Sequence, residues 1–258
     1  LKIGDGTIDT EANDLVKIPP SILVPYTNES DALQKLIEIV YLEIANDSQI
    51  SPSFFNRAIL TTKNSFVDEI NDALINRYPG EAVQYLSYDE TLNKNHQAEY
   101  VDLLNTLTPC GLPPHRLVLK PNAPIILLRN LDPTEGLCNG TRLGVKSLSK
   151  NIIHATISFG EFSGKDVFIH RIPMQPPVDD QYPVPYKRIQ FPIRLCFAMT
   201  INKAQGQILD FVGIYLKEPI FSHGQLYVAL SRAKKASTVR ILIKPAYFSP
   251  YQMDKTKT

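Results

Sequence analysis

Two short stretches hold most of the side chains that could handle a phosphate. The first is Thr200-Ile-Asn-Lys-Ala-Gln-Gly-Gln207, which sets a hydroxyl, amides, an ammonium and a glycine directly after the apolar run Phe191 to Met199. The apolar part predicts a buried strand over Phe191 to Ala198, and the switch at Thr200 predicts the first turns of a helix to Gln205. Thr200 would cap that helix, whose free amides and positive end favour a phosphate, with Asn202 and Lys203 adding donors. Gln205 and Gly206 lie about one turn further along and would face a different ligand. An ordinary strand–helix junction with a capping threonine and a solvated lysine uses the same residues. Their chemistry alone does not choose between the two.

The second stretch is Phe221-Ser-His-Gly-Gln-Leu-Tyr-Val-Ala-Leu-Ser-Arg-Ala-Lys-Lys235. Ser222 and Gln225 have the spacing of a capping box, which predicts a helix over Ser222 to Arg232 with Leu226, Ala229 and Leu230 on its apolar face. Arg232 falls near the end of that helix. A guanidinium there could reach a phosphate across an interface, where its planar fork does what a lysine cannot. Composition by itself favours a plainer role, a surface arginine at a helix carboxy end. Arg232, Lys234, Lys235, Arg240 and Lys244 make the densest basic cluster, but such a run is usually a solvated face.

The elements that would carry these stretches alternate strand and helix. Thr27 or Asn28 opens a helix over Asn28 to Ala45, with Leu33, Leu36, Ile37, Val40, Tyr41 and Ile44 at helical spacing. Arg57 to Thr61 predicts a buried strand, polar Thr61 to Asn64 a junction, and Val67, Ile70, Leu74 and Ile75 a second helix. Strand followed by helix is the unit of an α/β sheet. From Leu117 to Ile172 short apolar runs alternate with turn signals at Gly136, Asn139-Gly140 and Asn151, which predicts a small barrel-like β module. Pro173 to Pro185, with five prolines, predicts an extended connector. The α/β pattern then returns with strands at Phe211 to Leu216 and Val239 to Lys244.

Composition bounds the rest. The 258 residues are 43% hydrophobic and 21% charged, enough to bury a core, and a net charge of +1 gives no bulk attraction to nucleic acid. Cys110, Cys138 and Cys196 are odd in number and widely spaced, which fits neither a disulfide framework nor a metal site and suits a reducing compartment. The absence of an initiator methionine gives the expectation that this sequence is an excerpt.

Several stretches together resemble the Pif-type (petite integration frequency) DNA helicases of superfamily 1B, in wording nearest to those of Helitron-type transposons. Thr200 to Gln207 resembles a motif late in the family's second RecA-like domain. Gln225-Leu-Tyr-Val-Ala-Leu-Ser-Arg resembles the last helicase motif, and Arg57-Ala-Ile-Leu-Thr-Thr-Lys-Asn the motif that opens the domain. Gly111-Leu-Pro-Pro-His, Ile126-Leu-Leu-Arg-Asn-Leu-Asp and Gly136-Leu-Cys-Asn-Gly-Thr-Arg-Leu resemble the inserted region. The departures are Ile208 for a usual Thr, Thr62 for Pro and Ala204 for Ser.

The resemblance implies the carboxy-terminal half of an ATP-dependent helicase that moves 5′-to-3′ on single-stranded DNA. Its fold would be an α/β second RecA-like domain, mainly a parallel sheet flanked by helices, with an inserted SH3-like β module. The implied division is 1–115 and 191–248 for the RecA-like parts, 116–190 for the module and connector, and 249–258 for a tail. Arg232 would act as the arginine finger, and Gln205 and Gly206 would lie beside the nucleotide. Thr200, Asn202, Lys203 and Lys63 would touch DNA. The cofactor would be ATP with Mg²⁺. The sequence holds no Gly-x-x-x-x-Gly-Lys-Ser/Thr loop, so that loop and the metal ligands are expected in an amino-terminal RecA-like domain. The expected compartment is the nucleus, with the mitochondrion second. A non-catalytic DNA-binding or scaffold remnant of a transposon-derived helicase, and a free-standing β-module binder, are the alternatives.

Overall fold

The computed structural model describes residues 10–11, 15–16, 18–45, 52–177, 182–220 and 224–244. Two compact units emerge, one made of Leu1–Leu74 with Phe197–Thr258 and the other of Ile75–Cys196. The second unit therefore starts well before residue 116, taking in the end of one helix, two short strands and the helix Gln97–Thr106.

The first unit is an α/β layer. Its sheet runs in the order Ala198–Thr200, Arg57–Thr61, Phe211–Leu216, Val239–Ile243, and every pairing is parallel. Strands buried in this way carry near-continuous apolar runs, as Ala58, Ile59 and Leu60 or Val212 to Leu216 do. Helix Glu29–Val40 lies across the sheet, against three of its strands. Gly213 makes that approach possible. A Cβ there would stand 2.7 Å from Val40 Cγ2, inside contact distance, with Ile59 and Leu36 next nearest.

The helix expected over Asn28 to Ala45 is interrupted at Tyr41, leaving Glu29–Val40 and the short Leu42–Ala45. Tyr41 is 1% exposed, and its hydroxyl donates to Phe197 O at 2.5 Å, with Arg57 O at 3.3 Å beside it. A buried phenol must find acceptors, and these lie at the edge of the sheet rather than along the helix axis. Helical spacing could not show this.

The second unit is mostly antiparallel β. Its five-stranded sheet runs Asp166–His170, Ile152–Ile157, Arg142–Leu148, Pro124–Leu127, Ile193–Leu195. The inward residues, among them Leu143, Val145, Ile153, Ile169 and Phe191, form one core. The strand expected over Phe191 to Ala198 is divided. Ile193–Leu195 joins this antiparallel sheet, and Ala198–Thr200 joins the parallel one. An apolar run states that residues are buried, not in which sheet. The supposed connector also begins as a strand. Ile172–Met174 pairs with Tyr186–Gln190, with Pro173 on an edge strand where its missing N–H is tolerated.

A buried ion pair ties this unit together. Arg188 and Asp89 have fully buried side chains and meet at 2.6 Å. The remaining guanidinium N–H groups donate to Leu104 O, Leu107 O and Pro113 O. One side chain thus joins the end of helix Gln97–Thr106, the following loop and the three-stranded sheet. Ser87 Oγ donates to Asp89 at 2.8 Å and lies 2.8 Å from His115 Nδ1. Because the single Ser87 proton is already used, His115 must carry its proton on Nδ1.

Candidate nucleotide and nucleic-acid site

All four strands of the parallel sheet point the same way, so their carboxyl ends form one edge. Ligands in open α/β sheets bind outside that edge. The segments leaving it carry Lys63 after Arg57–Thr61, Asn202 and Lys203 after Ala198–Thr200, and Glu218 after Phe211–Leu216. Thr200 and Thr61 are direct partners across the sheet. The hydroxyls of Thr61 and Thr62 are buried at this edge without a hydrogen-bond partner.

The helix expected from Thr200 to Gln205 is not formed. Thr200 is the last residue of a strand, and only a three-residue 3-10 turn, Asn202–Ala204, follows. Gln205 returns to extended backbone and Gly206 has φ +80°, a left-handed geometry that favours glycine and turns the chain away. A single such turn has no helix dipole to offer. Phosphate recognition here would come from individual donors instead. Asn202, Lys203, Gln205 and Gly206 are exposed, and Thr200 is half-buried, with Lys203 N approaching its Oγ1 at 3.4 Å.

Helix Gln225–Leu230 is shorter than expected, and the Ser222 half of the capping box lies outside the described residues. Gly224, at φ +79°, occupies the cap position. The helix begins beyond the carboxyl edge of the sheet and runs back toward the start of Val239–Ile243. Arg232 follows its end. Its guanidinium is engaged within the unit: Nε donates to Val228 O at 2.9 Å, Nη1 to Gln207 O at 3.1 Å and Ala204 O at 3.4 Å, and Nη2 to Ser231 Oγ at 2.9 Å. Of five N–H donors, one is left for anything else. Arg232 therefore staples the loop after Ala204 to this helix, a role that its sequence position did not reveal.

Two more residues of the basic cluster are similarly committed. Lys234 donates to Asp210 at 2.6 Å and holds that carboxyl below the usual carboxylate range, while Arg240 donates to Ser237 O and Val239 O. Lys63 is ion-paired with Glu218, and its neighbour pair Lys217–Glu69 closes at 3.1 Å. DNA phosphate would compete with Glu218 for Lys63. Gln225 is a residue whose spacing in the sequence pointed only to a cap, although it also opens the stretch that resembles the last helicase motif. It is 4% exposed and donates through Nε2 to Asn202 Oδ1 at 3.3 Å. A glutamine amide at the first position of an apolar helix face was the available signal.

Thr200, Asn202, Lys203 and Lys63 are thus brought to one edge, and Arg232 lies at the far end of the helix that starts there. What this half could give a nucleotide is one wall, made of Gln205, Gly206 and the remaining Arg232 donor. Among the described residues no group of His, Cys, Asp or Glu could hold a metal ion, and no helix is long and apolar enough to cross a membrane.

Comparison with known proteins gives these features a context. The family profile described as the 2B domain of DNA helicase Pif1 matches residues 102–148. The ATP-dependent DNA helicase PIF1 of Rattus norvegicus is 30% identical over 188 residues, covering 71% of this chain and 27% of that protein. The ATP-dependent DNA helicase RRM3 of Saccharomyces cerevisiae is 42% identical over 82 residues, covering 31% of this chain and 11% of its own length. Among solved structures, the Pif1 helicase of Candida albicans shares the fold with a TM-score of 0.57 at 21% identity, over 90% of this chain and 54% of the other. Bacteroides Pif1 in complex with ADP-AlF3 and single-stranded DNA gives 0.54 at 23% identity, over 94% and 55%. The chain thus spans about a quarter of the curated relatives it matches and about half of the solved structures.

Proposed function

This chain is a relative of the Pif1-type DNA helicases, and from that premise we propose that it supplies one wall of the nucleotide site and part of the DNA track of an ATP-dependent helicase. The parallel-sheet unit takes the part of the second RecA-like domain and the antiparallel module that of the SH3-like insert. Thr200, Asn202, Lys203 and Lys63 hold the backbone of single-stranded DNA, along which the protein moves in the 5′-to-3′ direction. Gln205 and Gly206 border the nucleotide. Arg232 places its uncommitted N–H on the charge that develops during phosphoryl transfer. ATP, bound with Mg²⁺, supplies the energy, and the partner is an amino-terminal RecA-like domain that carries the phosphate loop. Such a protein works on DNA in the nucleus or the mitochondrion.

The observation that carries this reading is the meeting of the candidate DNA residues at the carboxyl edge of one parallel sheet, at the head of the helix that leads to Arg232. The hydrogen bonds that Arg232 makes to its own loop favour a second reading, a non-catalytic DNA-binding remnant. Purified alone, the chain should hydrolyse ATP no faster than background, while the full-length protein shows magnesium-dependent turnover that single-stranded DNA stimulates. Turnover by the isolated chain would overturn the assignment of the phosphate loop to a partner domain. Absence of turnover in the full-length protein would favour the remnant.

A further inference from the structure

The 202–209 segment and helix Gln225–Leu230 run side by side. Both start at the carboxyl edge of the parallel sheet. The segment ends where Leu209 N donates to Arg232 O at 2.8 Å. Two sets of side-chain bonds join them. At the upper end Gln225 Nε2 donates to Asn202 Oδ1, and at the lower end Arg232 donates to Ala204 O and Gln207 O. Gln207 Nε2 in turn donates to Lys203 O at 3.2 Å, which braces the segment internally. A shift of Asn202 therefore has a short route to Arg232 through the rigid helix between them.

Gln225 is an expensive choice for this position unless the link matters. Its side chain is buried, yet Oε1 has no hydrogen-bond partner. Stranding an amide oxygen carries a desolvation cost that a methionine of similar length would avoid. What the amide provides, and methionine cannot, is the bond to Asn202.

We propose that Gln225 is a positioning residue that couples DNA occupancy at Asn202 and Lys203 to the placement of Arg232. The inference rests on the reading of the 202–207 loop as DNA track. When a phosphate draws Asn202, Gln225 carries the displacement into the first turn of the helix. The far end then shifts the guanidinium against the Ala204 and Gln207 carbonyls, which frees donors for the nucleotide. Gln225 touches neither ligand, so its loss separates stimulation from binding.

The test is Gln225→Met in the full-length protein, with Asn202→Ala and the double variant alongside. Gln225→Met should leave the affinity for oligo-dT and the KM for ATP unchanged. DNA-stimulated kcat should fall roughly tenfold, within the range typical of coupling between two sites. The double variant should be no worse than the poorer single one, because both substitutions cut one link. Full stimulation in Gln225→Met, with Asn202→Ala impaired, would overturn the coupling while sparing the DNA track. If Asn202→Ala changes neither DNA affinity nor stimulation, the DNA track itself is wrong and the coupling falls with it. Should Gln225→Met fail to fold, hydrogen exchange on the unsubstituted protein decides. Oligo-dT should alter exchange at the Val228 and Ser231 amides as well as in the 202–207 loop. A response confined to the loop would overturn the proposal.

Discussion

Arg232→Lys separates the two roles that the structure and the proposed mechanism give to one side chain. As a staple, Arg232 makes hydrogen bonds to Val228 O, Ala204 O, Gln207 O and Ser231 Oγ. Charged hydrogen bonds contribute about 1.5–3 kcal/mol each when buried, but this side chain is half-exposed, and solvent screening reduces the sum to about 1–2 kcal/mol. A lysine ammonium has three donors and recovers part of that. A domain with a stability of about 5–15 kcal/mol would remain folded after such a loss, so the staple alone predicts at most a few-fold change in turnover. As a finger, Arg232 acts on charge present only in the transition state. Such an arginine is then worth about 10³-fold or more in rate, close to 4 kcal/mol, and a lysine ammonium cannot reach that charge while also holding the staple. Urea unfolding of the isolated chain gives the first quantity, and DNA-stimulated hydrolysis by the full-length protein gives the second. The expected result is a stability loss of about 1 kcal/mol or less with turnover down by about three orders of magnitude. Near-normal turnover in the lysine variant would refute the finger and leave the staple as the whole role.

Three further outcomes are expected. Lys203→Ala should weaken binding of the full-length protein to oligo-dT and lower the slope of log K against log salt by about 0.7, the value for one phosphate contact on a single strand; salt titrations that leave slope and affinity unaltered would make Lys203 a solvated surface residue. Arg188→Met should destabilise the Ile75–Cys196 unit by about 3–5 kcal/mol, because it leaves Asp89 buried without its partner, and adding Asp89→Leu should recover much of that loss; urea unfolding in which the single variant matches the parent would show that the pair contributes nothing. Burial pushes the His115 imidazole below its ordinary range, with Arg188 acting in the same direction and Asp89 against it. The unfolded chain therefore takes up the proton first, so stability holds above about pH 6.5 and declines below it until the folded imidazole also protonates. Thermal unfolding followed from pH 7 to pH 5 should show a decline that His115→Gln lessens, and identical profiles for the two would exclude the effect.

Much of the architecture followed from local pattern. Arg57 to Thr61 and Phe211 to Leu216 are apolar runs of strand length, and both are strands of the parallel sheet. The short apolar runs set between turn signals from Leu117 to Ile172 likewise marked the antiparallel strands. Thr200, Asn202 and Lys203 could be picked out by residue type alone. Tertiary structure decided what those types do. Thr200 ends a strand rather than capping a helix, because Gly206 turns the chain away after one 3-10 turn. Phe191 to Thr200 serves two sheets, because apolar character specifies burial without naming the partner strand. The Arg188–Asp89 pair joins residues 99 apart, and Gln225 meets Asn202 across 23. Hydrogen bonds that close such distances leave no periodic trace in the chain. They depend on where whole elements pack, and packing is settled by the burial of many side chains at once rather than by any one stretch of sequence.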